Sequence, residues 1–174
     1  LVDDRMWALF TTELRDRFPD ATFGLASEAV GPLRLRKDDA ELAALRAAGS
    51  VADEASVAIR SLGSDAVGLT ERELAARIET ELDDHGGESV SFEPIVASGP
   101  NGAKPHHRHS DRKIQAGDPV VLDFGTRVDG YPSDQTRTVV FDGTPPEPFE
   151  QVHETVRAAL DAGVAAVEPG VSAH

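Results

Sequence analysis

The chain has 174 residues, of which 40% are hydrophobic and 28% are charged, a balance typical of a globular domain with a buried core. Its formal net charge of −14 repels phosphate backbones and anionic lipids, which argues against nucleic-acid and membrane partners, and no apolar run reaches the ~20 residues of a membrane span. Cysteine is absent, which excludes disulfides, thiolate ligands and a cysteine nucleophile and fits a cytoplasmic location.

The first 36 residues have too few elements to bury a core of their own. Apolar spacing predicts a helix over residues 4–18, and residues 22–30 are predicted to form a short strand that ends at Gly31-Pro32. We therefore expect residues 1–36 to be the C-terminal remnant of a preceding domain with its linker. The start at Leu1, with no methionine, makes us expect a fragment or a processed chain.

Two amphipathic helices follow in the middle of the chain. Alanine and leucine at helical spacing predict a long helix over 39–62, and Gly63 is a suitable end. The segment from Thr70 to Glu73 has the pattern of a capping box, in which each side chain bonds to the backbone N–H of the other residue. That box predicts a second helix, which ends at Gly86-Gly87.

The remaining chain alternates strands and loops before a last helix. Residues 90–98 predict one strand, and a polar, histidine-rich loop extends from Gly99 to Asp111. A buried strand over 119–124 contains Asp123, Asp129-Gly130 predicts a hairpin turn, and 136–141 form the returning strand. A final helix runs from Phe149 to Val167. The fold class is therefore α+β, with an antiparallel sheet covered by long helices.

The hairpin places two carboxylates on one face of the sheet. With Asp129-Gly130 at the turn, Val128 pairs with Tyr131, Gly125 with Asp134, and Asp123 with Thr136. Because strand side chains alternate, Asp123 and Asp134 point to the same side as diagonal neighbours, with ~7–8 Å between their backbone positions.

Carboxylates that converge in this way repel each other unless a cation or a proton lies between them. Two metal ions ~3.5–4 Å apart would suit such a pair. The alternative is a buried network in which Arg127 and Arg137 neutralise the aspartates. Thr136 is predicted either to hydrogen-bond a metal-binding carboxylate or to be an ordinary strand residue.

Several segments resemble a known family of metallopeptidases. Val121-Leu122-Asp123-Phe124-Gly125 and Gly130-Tyr131-Pro132-Ser133-Asp134-Gln135-Thr136-Arg137-Thr138 are similar to the metal-binding signature of the Xaa-Pro peptidases. Those enzymes are prolidase and aminopeptidase P, pita-bread relatives of methionine aminopeptidase. The segments Phe92 to Asn101 and Pro105-His106 match as well, and the resemblance extends from about Lys37 to the end. It implies that residues 37–174 are the N-terminal half of a pita-bread catalytic domain.

The resemblance also implies the residues of the site. Asp123 and Asp134 would be ligands to two divalent ions, for which manganese is expected and cobalt or zinc are the alternatives. His106 would contact the substrate near the scissile bond and is the predicted catalytic residue. His107, its neighbour, is predicted either to orient substrate or to be solvated. A histidine and two glutamates that complete the family's ligand set are expected beyond this chain, and His174 is not assigned to that set.

The function implied is a dinuclear metal-dependent exopeptidase. It would hydrolyse the bond between an N-terminal residue and proline, as a dipeptidase or an aminopeptidase, in a full-length protein that we expect to be a homodimer. The 174 residues alone are expected to be inactive. Two alternatives stay open: a non-catalytic homologue that binds peptides or proteins, and a metal-free hydrolase similar to creatinase, which the two retained aspartates disfavour.

Overall fold

A computed structural model describes residues 1–172 of the chain. The chain divides into two compact units, the first over residues 1–43 and the second beginning at Ala44. The proposed domain boundary at residues 36 and 37 remains a prediction. His174 lies outside the described residues, as does the end of the predicted catalytic half. None of the described helices is long and apolar enough to cross a membrane.

The first unit contains two short helices, α1 (Ala8–Arg17) and α2 (Ala26–Leu35). The predicted helix near the start is thus confirmed, whereas the strand predicted over 22–30 is wrong. Leu25 makes a single parallel bridge to Val2, and the chain then enters α2. Pro32 lies inside α2 because its fixed φ suits a helix, so that the proline costs one hydrogen bond without ending the element.

The second unit has two helices that match their sequence signals. Helix α3 (Asp39–Arg60) buries an alanine-rich stripe from Ala44 onward, and a short 3-10 turn over Gly63–Ala66 follows it. Helix α4 (Glu71–Asp84) begins with the predicted capping box: Thr70 Oγ1 accepts from Glu73 N at 3.1 Å, and Glu73 Oε2 accepts from Thr70 N at 2.7 Å. Local capping chemistry therefore sets where α4 starts.

Within residues 1–172, six strands form two small antiparallel sheets, and helix α5 (Phe149–Ala165) follows them. One sheet has the order β1-β4-β5 and the other β2-β3-β6. The six strands, in chain order, are β1 (Ser89–Val90), β2 (Ile95–Ser98), β3 (Val120–Phe124), β4 (Thr126–Val128), β5 (Tyr131–Pro132) and β6 (Gln135–Val139).

The single strand predicted over residues 90–98 is wrong, because β1 and β2 belong to different sheets. Between them, Ser91 turns away from a regular ladder: its hydroxyl donates to Thr126 O and Ser133 O, both at 2.8 Å. Pro94, which is fully buried, has no N–H to contribute to a ladder. The apolar texture of the segment thus reflects burial rather than one continuous strand.

The hydrophobic core lies between helices α3 and α4 and one face of the sheet. Along β3 burial alternates, so Val120, Leu122 and Phe124 face this core while Asp123 faces the other way. The packing of the core therefore determines which side of the sheet carries the carboxylate. The largest fully buried core side chains include Ile59, Leu74, Ile78, Leu82, Val96, Leu122 and Phe124.

Candidate functional site

The hairpin has the register that the turn signal predicted. Val128 pairs with Tyr131, and Asp123 pairs with Thr136, so the same register holds on both sides of the break between β3 and β4. Gly125 lies at that break, and a Cβ atom there would be 1.9 Å from the carbonyl oxygen of Ser133. Only glycine allows the backbone segments around residues 125 and 133 to approach each other this closely. Gly125 thereby keeps the neighbouring Asp134 in register with Asp123.

Both aspartates line one cleft with a volume of about 400 Å³. His106 and His107 contribute to the same cleft, so four of the five predicted site residues meet there. Thr136, the fifth, lies opposite Asp123 in the ladder. The other residues that line the cleft are Phe92, Glu93, Pro94, Ile95 and Arg108.

Asp123 is a carboxylate whose charge is only partly compensated. Its Oδ1 atom is buried and has no hydrogen-bond partner in the described part of the chain, whereas its carboxylate accepts a hydrogen bond from the Thr136 side chain. Burial raises the pKa of Asp123 above its ordinary value, and the charge of Asp134 adds to that rise, while Thr136 and His106 oppose it. A cation in the cleft would relieve both the burial cost and the repulsion.

The two arginines that could have neutralised the aspartates are engaged elsewhere. Arg137 Nη2 is 3.4 Å from Asp53 Oδ1, and Arg127 Nη1 donates to Gly130 O at 3.1 Å. The alternative of an Asp–Arg network is therefore not what the structure contains around Asp123 and Asp134.

The two carboxylates fit a divalent metal ion by their chemistry. Carboxylate oxygens are hard donors, and Oδ1 of Asp123 has no hydrogen-bond partner among the described residues that would compete with a cation. Within residues 1–172, however, no group of three or more potential ligands gathers around a single point. Asp123 and Asp134 would thus supply part of a metal centre.

His106 occupies a strained backbone position at the rim of the cleft. Its φ of 58° lies in the left-handed region, which residues other than glycine rarely adopt, and its side chain is exposed. Such strain persists only where the flanking structure holds the chain in place, and it is common at functional sites.

His107, in contrast, is almost buried, with 9% of its side chain exposed. Its Nε2 atom lies 2.8 Å from Oε2 of Glu71, so this nitrogen is already occupied and only the remaining ring edge is available to the cleft. His109 is bonded through Nδ1 to the carbonyl of Pro94 at 3.1 Å. The three loop histidines therefore differ in exposure and in partner, which their spacing does not reveal.

Sequence reasoning missed the role of Glu71, the fully buried carboxylate at the first position of α4. Its two oxygens accept six hydrogen bonds, all from the segment between residues 98 and 110. Burial by itself would raise the pKa of Glu71, but hydrogen bonds from Ser110, Asn101, Ser98 and His107 bring that pKa well below its ordinary value. No local pattern marks this residue, since its partners lie 27 to 39 positions away.

Comparison with known proteins gives a consistent result. The model of metallopeptidase family M24 matches residues 43–174. An Xaa-Pro dipeptidase of Lactobacillus helveticus is 38% identical over 165 residues, which are 92% of this chain and 44% of that protein.

Among solved structures, a prolidase from Thermococcus sibiricus superposes with a TM-score of 0.90 at 41% identity, over 97% of this chain and 46% of its own. An X-Pro aminopeptidase from Thermotoga maritima gives 0.82 at 31% identity, over 91% of this chain and 44% of its own. The chain therefore spans less than half the length of the proteins it matches.

Proposed function

The chain belongs to metallopeptidase family M24 and has part of the pita-bread fold, and from that premise we propose that the full-length protein is a dinuclear metal-dependent exopeptidase specific for Xaa-Pro bonds. It removes an N-terminal residue that precedes proline, either from a dipeptide or from a longer peptide. The relatives named Xaa-Pro dipeptidase, at 34–38% identity, support this substrate class.

The observation that carries the proposal is the placement of Asp123 and Asp134 in one cleft with a buried oxygen left unpartnered. Divalent ions bound there, manganese in our proposal with cobalt or zinc as alternatives, would act as Lewis acids toward the scissile carbonyl. Asp123 would be oriented by its hydrogen bond from Thr136, and Asp134 would approach from the position just before β6.

The rest of the cleft suits a short peptide that contains proline. Phe92 and Ile95, both half-buried, form an apolar wall that can hold a pyrrolidine ring. His106, exposed at the rim and close enough to Asp123 to influence its charge, would bind the peptide backbone next to the scissile bond. His107 would present its free ring edge to the same substrate.

The reaction belongs, in this proposal, to the full-length protein. The described residues contribute two carboxylates, and a working centre needs further ligands to fix the ions and to move a proton. We propose that these ligands come from the second half of the domain, that the 174 residues alone are inactive, and that the full-length protein is a cytoplasmic homodimer.

The test is manganese-dependent hydrolysis by the full-length protein of an Xaa-Pro dipeptide, a longer Xaa-Pro peptide and the matching Xaa-Ala peptides. We expect cleavage of a proline substrate and little cleavage of its alanine counterpart. Preference for the dipeptide identifies a dipeptidase, and preference for the longer peptide an aminopeptidase. If metal is bound but neither proline peptide is cleaved, the proposal fails and a non-catalytic peptide-binding homologue takes its place.

A further inference from the structure

We infer that Glu71 is a positioning residue, which holds the loop that carries His106 and His107 against the cleft and orients the His107 ring. The inference rests on the proposed function only where it calls the cleft a peptide site. Glu71 itself lies outside the cleft, at the start of α4, and acts through the loop.

The hydrogen bonds of Glu71 reach both ends of the histidine loop. Oε1 of Glu71 accepts from the backbone and hydroxyl of Ser98, both at 2.8 Å, and from Asn101 Nδ2 at 2.9 Å. Oε2 accepts from His107 Nε2 at 2.8 Å and from the backbone and hydroxyl of Ser110 at 2.9 and 2.6 Å. One carboxylate thus joins the two ends of the histidine loop to the helix.

The strained backbone of His106 lies between two residues that Glu71 holds. Its left-handed backbone lies between Asn101 and His107, and both of these residues are bonded to Glu71. Fixing the chain on both sides of a disfavoured conformation is what allows that conformation to persist. Glu71 therefore accounts for a feature of His106 that the loop sequence alone does not explain.

The ionisation of Glu71 determines which partner holds the proton in its contact with His107. The lowered pKa of Glu71 keeps the carboxylate ionised, and an ionised carboxylate can only accept hydrogen bonds. The proton of this contact must then lie on Nε2 of His107, which donates to Glu71 Oε2 at 2.8 Å. The buried acid thereby fixes which ring nitrogen is the donor and how the ring is oriented.

Arg112 and Asp118 support the Glu71 carboxylate indirectly, through Ser98. Arg112 Nη1 donates to the hydroxyl of Ser98 at 2.6 Å and also binds Asp118 Oδ2 at 2.6 Å. Ser98 is thus held by Glu71 on one side and by an ion pair on the other. The hydrogen bond from Arg112 to Asp118, helped by the charges of Asp118 and Glu71, raises the pKa of Arg112, so this cation remains charged beside the buried acid.

The experiment compares Glu71→Gln with Glu73→Gln in the full-length protein. Glutamine keeps the size of Glu71 but replaces one acceptor by an N–H₂ group that faces the fixed backbone N–H of Ser98 or Ser110. Glu73 lies in the first turn of the same helix, and among the described residues its side chain bonds to Thr70, so its variant controls for a weakened α4. We expect Glu71→Gln to lower kcat/KM by about 10- to 100-fold, and Glu73→Gln to leave it within about twofold.

Two readouts do not require substrate or metal. In the wild type, the 15N resonances of His107 should show a protonated Nε2 that exchanges slowly, and the amides of Ser98 and Ser110 should exchange slowly as well. Glu71→Gln should shift the Nε2 resonance and speed the exchange of both amides. Unchanged ring resonances and unchanged exchange in a folded Glu71→Gln protein would overturn the inference.

If Glu71→Gln does not fold, His107→Gln provides the decisive comparison. A glutamine amide can still donate to Glu71, but it lacks the imidazole ring that the carboxylate orients toward the cleft. We expect slow exchange of the Ser110 amide with reduced kcat/KM, and wild-type kcat/KM would refute the ring-orienting role. Should the wild type cleave no Xaa-Pro peptide, the proposed function fails, while the resonance and exchange measurements still decide the role of Glu71.

Discussion

Replacing Asp134 by asparagine in the full-length protein should separate metal binding from folding. Asp134 is exposed and lies at the edge of the hairpin, so the isosteric change removes little packing. Burial is the main cause of the raised pKa of Asp123, and the change also removes the charge of Asp134 that adds to this rise. The metal-free variant should therefore melt at the same temperature as the wild type or slightly above it.

The magnitude follows from binding linkage. At a manganese concentration 100-fold above Kd, a ligand that binds only the folded state stabilises it by about 2.7 kcal/mol. That corresponds to about 5–10 °C in Tm for a domain of 150–250 residues. Loss of a direct ligand should weaken affinity by at least the ~100-fold that supporting residues can cost. At the same concentration the stabilisation then falls to about 0.4 kcal/mol.

The assay is thermal unfolding with and without manganese, combined with calorimetric measurement of stoichiometry. Asp129→Asn is the matched control, because it removes the same charge from the tip of the same hairpin. Asp129 has a φ of 50°, a conformation that asparagine also tolerates, so the turn should persist. The reasoning is refuted if Asp134→Asn binds manganese with wild-type stoichiometry and shows the wild-type rise in Tm.

Two further predictions concern glycine packing and pH. Gly125→Ala should destabilise the protein by more than about 2 kcal/mol in urea unfolding and weaken manganese binding, because the new Cβ would meet the Ser133 carbonyl at 1.9 Å. Gly49 lies inside α3 with open space around its Cβ position, so Gly49→Ala should instead stabilise the protein by about 0.5–1 kcal/mol. Equal changes in unfolding free energy for the two variants would contradict the packing argument. Because the pKa of Glu71 is lowered in the folded state, its contribution to stability is complete above the ordinary value of 4.5 and is lost as pH falls further. The free energy of unfolding, measured from pH 6 to pH 3, should therefore decline less steeply in Glu71→Gln than in the wild type. Parallel declines would contradict the contribution of Glu71 to the pH dependence of stability.

Features that depend on residues close together in the chain were predicted correctly from the sequence. The capping box at Thr70 and Glu73 was confirmed, because its hydrogen bonds join residues three positions apart. The hairpin register that pairs Asp123 with Thr136 was also confirmed, because a two-residue turn and strict alternation determine it. The family resemblance followed from the same hairpin and was borne out by the match over residues 43–174.

Errors arose where the local signal was ambiguous. The Gly31-Pro32 pair indicates a break in most contexts, but proline is compatible with helical φ, and α2 continues through it. Residues 90–98 have the composition of one strand, but the hydroxyl of Ser91 bonds to two carbonyls of the hairpin and divides the segment between two sheets.

The sequence by itself determined where α3 and α4 start and the hairpin register that brings Asp123 and Asp134 to one cleft, since each depends on residues close together in the chain. Only the tertiary structure decided that Oδ1 of Asp123 is buried without a hydrogen-bond partner among the described residues, and that Glu71 binds a loop 27 to 39 residues away. Burial and long-range hydrogen bonds arise from how distant segments pack, and no local pattern of residue types encodes that packing.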